Sequence, residues 1–91
     1  MKAKGLLITA EGEQRDITFK NKLASLSELQ EYVGGYIEIV WLRGGKILVV
    51  NEEGKINGLP INMNATYIIG EHGMDDNIVG NAILMESKYI S

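Results

Sequence analysis

The side chains able to do chemistry are few in this chain, and each also has a plainer use. His72 is the only histidine and stands in Glu71-His72-Gly73-Met74-Asp75-Asp76. An imidazole beside three carboxylates is a donor set that a divalent cation accepts. The spacing matches no known ligand frame, however, and a solvated loop explains the stretch more simply. The chain has no cysteine, which excludes thiolate metal sites, catalytic thiols and disulfides. A Ser-His-Asp arrangement is assembled in space and stays open, but Ser25 and Ser27 are better explained by helix capping. Gly44-Gly45-Lys46 is too short for a phosphate-cradling loop and leads into a strand, so it reads as a hairpin turn. Asn64-Ala65-Thr66 matches the glycosylation triplet by accident, since no secretory signal accompanies it. No catalytic residue is assigned, and no metal or cofactor is expected.

A binding site has more material. Asn51-Glu52-Glu53-Gly54-Lys55 leaves an apolar run with three polar residues, and Gly58-Leu59-Pro60 then leads to Asn62. Six of the seven asparagines lie from position 51 onward, and their amides donate and accept without charge, as reading a polar ligand requires. Turns and caps use the same residue types. Glu38 lies among apolar neighbours, either on the solvent side of a sheet or in a pocket or interface. Tyr36 offers an aromatic face with a polar handle, for a ligand or a subunit interface, although core packing uses aromatics too. The candidate ligand-binding set is therefore Asn51, Glu52, Glu53, Asn62, Tyr36 and Glu38.

The elements that must position these residues follow from periodicity. Residues 4–10 alternate as a strand, Glu11-Gly12-Glu13 turns the chain, and residues 15–19 form its hairpin partner. Ser25 followed by Glu28 fits a capping box. Leu26, Leu29 and Val33 fall at helical spacing behind it, and Gly34 is able to end the helix in the left-handed region. Residues 36–42 are mostly β-branched or aromatic, Gly44-Gly45 turns them, and residues 46–51 are apolar on both faces. This second hairpin is expected to form the middle of the sheet. Asn62 is a cap for a second short helix burying Ala65, Ile68 and Ile69 and ending at Gly70. An acidic loop leads to a last strand over residues 77–85. The fold class is α+β: a single domain over residues 1–91, with a mainly antiparallel sheet of about five strands in ββαββαβ order and two short helices packed on it. The two ββα units hint weakly at a repeat.

Composition bounds the partners. A chain of 91 residues, 45% hydrophobic, has a marginal core that often wants a partner subunit, so a homo-oligomer is expected. The net charge of −3 arises wholly in the second half, where 3 basic residues face 6 acidic ones, against 6 and 6 up to residue 45. The densest basic stretch is Lys20-Asn21-Lys22, which disfavours duplex nucleic acid while leaving small nucleotides open. The apolar run Leu6 to Ile8 is too short for a signal peptide or a membrane span, so no membrane contact and a cytoplasmic location are expected.

Val33-Gly34-Gly35-Tyr36-Ile37-Glu38, Asn51-Glu52-Glu53-Gly54-Lys55, Gly58-Leu59-Pro60 with Asn62, Ala65-Thr66 and Ile78-Val79-Gly80-Asn81 recur in this order in one family. Over residues 29–84 the chain resembles that family, small domains from bacteriophages and bacterial mobile elements known only as a domain of unknown function. The resemblance implies a phage or prophage accessory protein in a bacterial host cell, and it transfers no active site. The expected function is a non-enzymatic binding module, an anti-defence protein that sequesters a small nucleotide-like ligand as an oligomer. The alternatives are a protein-interaction module that inhibits a host enzyme, and a small metal-assisted hydrolase using Glu38, Glu52, Glu53 or the acidic loop.

Overall fold

Four apolar residues in succession, Ile47 to Val50, have no solvent-facing side in any strand, and the tertiary structure supplies a layer on each side of them. The computed structural model describes residues 1–90. Its elements run β1 (Lys4–Ile8), β2 (Gln14–Thr18), α1 (Leu26–Val33), β3 (Ile37–Trp41), β4 (Lys46–Asn51), α2 (Met63–Glu71) and β5 (Ala82–Glu86), followed by a 3₁₀ turn, Ser87–Ile90. The strands form one antiparallel sheet in the order β2-β1-β5-β4-β3. The architecture is the expected α+β arrangement, ββαββαβ in one domain.

The two helices take opposite faces. Ile47 and Val49 join Leu7, Ile83, Met85, Leu29 and Val33 in a core beneath α1, while Leu48 and Val50 join Ala82, Ala65 and Ile69 beneath α2. Period-two geometry sends alternate β4 side chains to each layer, so every residue of the apolar run is covered. α1 is set by its ends. Ser25 Oγ accepts from the Glu28 N–H at 3.2 Å, and the Glu28 carboxylate accepts from the Ser25 N–H at 3.2 Å, completing the capping box. Leu29 and Val33, one turn apart, then face the sheet, and burying each contributes about 1.5–3 kcal/mol.

Three expectations need correction. The middle strand is β5, not the second hairpin, and β3 is an edge. Each hairpin leaves one inner strand half-paired, β1 and β4, and the last strand inserts between them. In the first ββα unit the first strand is the inner one and in the second unit the second, so the units are not equivalent copies. Secondly, α2 runs through Gly70 to Glu71, and the chain turns at Gly73, whose φ is 81°. Ile68 is only half-buried, leaving Ala65 and Ile69 as the buried face. Thirdly, β5 starts at Ala82. Residues 77–81 contribute a single bridge, Ile61 to Val79, because Gly80 at φ 75° breaks the extended path beneath Leu59.

Candidate functional site

The turn that ends α1 creates the most open concavity near the expected site. Gly34 adopts φ 82°, and its N–H and that of Gly35 both donate to the Gln30 carbonyl, at 2.8 and 3.1 Å. The chain then swings into β3 and leaves the Tyr36 side chain 66% exposed. Facing this turn is the loop after β4, a run of turns braced within itself. Asn57 N–H donates to the Glu53 carbonyl at 2.9 Å and Leu59 N–H to the Gly54 carbonyl at 2.9 Å. Gly54 is required there, since a Cβ would lie 2.8 Å from Val79 Cγ2. Between turn and loop lies a groove of about 460 Å³. α1 supplies Ser27, Gln30 and Glu31, the turn supplies Gly34, Gly35 and Tyr36, and Asn51, Glu53 and Asn57 complete it. No lysine or arginine lines it. Two carboxylates and the negative end of a helix favour cationic or donor-rich groups and repel phosphate.

A second cavity of about 300 Å³ lies on the other side of Asn51, over β3 and β4, with Glu38, Val40, Glu52, Lys55, Asp76 and Ile78 among its walls. Lys55 Nζ donates to Asp76 Oδ1 at 2.6 Å on its rim. This bond first, with the Asn77 N–H second, holds the Asp76 carboxyl below the usual aspartate range. Both side chains of the pair are mostly exposed, so the contact adds little stability. A third hollow, about 580 Å³, opens between α1 and the first hairpin, where Arg15 and Lys20 share the walls with Glu28 and Glu31. None of the expected site residues reaches it.

The six candidate residues divide among different duties. Tyr36, Asn51 and Glu53 meet in the groove, while Glu38, Glu52 and again Asn51 line the neighbouring cavity. Asn62 lies apart from both and is fully buried. Its Oδ1 accepts from the Ala65 N–H at 3.0 Å, capping α2, and its Nδ2 donates to the Ile8 and Gly80 carbonyls, each at 2.9 Å. Asn51 Nδ2 donates to the Val33 carbonyl at 3.1 Å, and its Oδ1 accepts from the Glu53 N–H at 2.8 Å. Asn81 repeats the device, with Nδ2 donating to the Tyr32 carbonyl at 3.4 Å and Oδ1 accepting from the Ala10 N–H at 3.2 Å. Asn51 and Asn81 thus tie down two orphan carbonyls at the end of α1. Much of the asparagine signal in the second half is scaffold.

Sequence reasoning missed Gln30 and Glu31 in the groove, read Ser27 only as a helix-cap residue, and noted Asn57 only among the asparagines of the second half. The available signal was Gly34-Gly35, which ends the helix and lays its last outward residues beside the next turn. His72 Nδ1 accepts from the Arg43 N–H at 3.1 Å, holding the end of the second hairpin's first strand to the end of α2. Among the described residues no three His, Asp or Glu side chains gather as a metal site would require. No helix of the described residues is long and apolar enough to cross a membrane.

Residues 1–89 match the family model described as Domain of unknown function (DUF3846). The chain belongs to that family. No curated protein and no solved structure matches this DUF3846 domain.

Proposed function

We propose that this DUF3846 domain is a non-enzymatic binding module that takes a small polar ligand in the groove beside Tyr36. The observation that carries the reading is the exposed Tyr36 ring beside Glu31 and Glu53 in a groove without a cation. A flat, amino-bearing group such as a nucleobase stacks on the ring, while its N–H groups donate to the carboxylates. A nucleotide held this way keeps its phosphates outside the groove, because the groove sets two carboxylates and no cation against them. The setting that fits is a phage-encoded protein in a bacterial cytoplasm that sequesters a nucleotide-like metabolite.

Calorimetry and native mass spectrometry against nucleosides, cyclic nucleotides, ADP-ribose nucleotides and a polyamine test this reading. A base-bearing ligand is expected to bind, with affinity falling about fivefold or more in Tyr36→Ala, since one aromatic–base stack is worth about 1–3 kcal/mol. Absence of binding by every compound, or equal binding by Tyr36→Ala and Glu53→Gln, removes the proposal.

A second reading, a module that docks on a host protein, is favoured by Met63 and Tyr67. They stand one turn apart on the outer side of α2 and are 73% and 70% exposed. If this face is the working surface, Met63→Lys with Tyr67→Lys abolishes capture of one defined host protein, while nucleoside binding is absent in the parent chain.

A further inference from the structure

The two edges of the sheet are built differently. On the first edge, β2 is exposed along its length except at Ile17 and carries Arg15 and Asp16 in its centre. Charges in mid-strand are the usual guard against pairing with another chain. On the other edge, β3 reads Ile37-Glu38-Ile39-Val40-Trp41, with no proline, no lysine and one charge. Its free backbone groups can be assigned. The Glu52 N–H donates to the Tyr36 carbonyl at 2.8 Å, and the Leu42 N–H donates to the Lys46 carbonyl at 3.0 Å. Along the register Glu38↔Val50 and Val40↔Leu48, alternate residues therefore bond inward to β4. Ile37, Ile39 and Trp41 are left with their N–H and C=O groups facing outward, and among the described residues no side chain bonds to them. Beside these groups Trp41 is 61% exposed, and Ile37 and Ile39 are only partly covered by the α1 core.

We infer that β3 pairs antiparallel with β3 of a second copy of this chain, making one continuous sheet of ten strands across a two-fold axis at Ile39. Such an interface needs only one surface, used twice. The axis follows from the alternatives. Centred on Ile39, the outward residues of the two copies meet as Ile37 with Trp41, Ile39 with Ile39 and Trp41 with Ile37. Each Trp41 then covers the Ile37 of the other copy, and each Glu38 stands opposite Val40. Centred on Glu38, the register sets two carboxylates directly opposite each other, which is destabilising. Centred on Val40, it calls on Arg43 as an end partner, but the Arg43 N–H is already donated to His72 Nδ1. Centred on Ile37, it calls on Gly35, whose N–H is already donated to the Gln30 carbonyl, so of these registers the one centred on Ile39 has none of these faults. It also brings Leu42 of the second copy beside Tyr36, at the rim of the groove. The inference rests on the sheet edge and not on the ligand reading, so each survives failure of the other.

The test uses the full chain. Sedimentation equilibrium is expected to give twice the 10.0 kDa chain mass. Trp41→Lys, a change at an exposed position, shifts the dissociation midpoint at least about tenfold toward monomer while circular dichroism stays unchanged. Because the chain has no cysteine, Ile39→Cys offers one thiol per copy at the axis, and mild oxidation is expected to give a disulfide-linked dimer, whereas Asp16→Cys on the opposite edge is expected to form no disulfide within the dimer. A wild-type chain that remains monomeric up to about 1 mM overturns the inference. So does a dimer that Trp41→Lys leaves intact, or one that cross-links through Asp16→Cys instead of Ile39→Cys.

Discussion

Replacing Asn62 with alanine separates a scaffold residue from a ligand residue. Its side chain is wholly buried and makes three hydrogen bonds: one caps α2 at Ala65, and two reach the Ile8 and Gly80 carbonyls from elements distant in sequence. Losing the cap costs about 1 kcal/mol. Losing two buried donors costs about 1 kcal/mol each, and more if the carbonyls stay unpaired. The sum is about 3 kcal/mol, a large part of the 5–15 kcal/mol that holds a typical domain together. At about 4–8 °C per kcal/mol for a domain of this size, the melting midpoint falls by about 12–24 °C. Urea and thermal unfolding followed by circular dichroism read the change, with Asn57→Ala, at an exposed loop position, as reference. An Asn62→Ala chain within about 0.5 kcal/mol of Asn57→Ala would refute the reasoning, because three buried bonds would then have counted for nothing.

Two more outcomes follow from local geometry and charge. Gly80→Ala is expected to destabilise by about 1–3 kcal/mol, since φ is 75° and the new Cβ would lie 2.8 Å from Leu59 Cδ1. Gly12→Ala, also at positive φ but with open space around it, should cost clearly less in the same urea titration. The Glu28 carboxyl is held below its ordinary value chiefly by the Ser25 hydroxyl, with the Lys20 and Ser25 N–H groups adding to it. Its stabilisation is therefore present above the usual glutamate pKa and fades as pH falls through the lowered one. Glu28→Gln should flatten that part of the acid limb in melting-temperature profiles, leaving the slope due to Asp76; an unchanged profile would argue against the capping box as a source of acid sensitivity.

Local order was legible wherever one residue settles one conformation. The Ser25 and Glu28 box, Gly34 in the left-handed region, the Gly44-Gly45 turn and the Asn62 cap each act over a few bonds, so composition and spacing were enough to place them. The double-sided apolar run at 47–50 announced a strand covered on both faces. The groove was half legible: Tyr36, Asn51 and Glu53 stood out and Asn57 was among the asparagines noted, but Gln30 and Glu31 did not stand out, since nothing in the order of residues says which loop will face the end of α1. Asn62 and Asn51 drew notice for the right residue type, yet a side-chain amide serves a ligand or a distant carbonyl equally well.

By its sequence alone this chain determined an antiparallel α+β domain, its helix ends and its turns, because those depend on backbone preferences and periodicity within a few residues. Only the tertiary structure decided that β5 divides the sheet, that α1 and α2 lie on opposite faces, and that β3 is left as an apolar edge. Strand order depends on pairings between residues as far apart as Gly5 and Met85, and hydrogen bonds between backbones carry no sequence label.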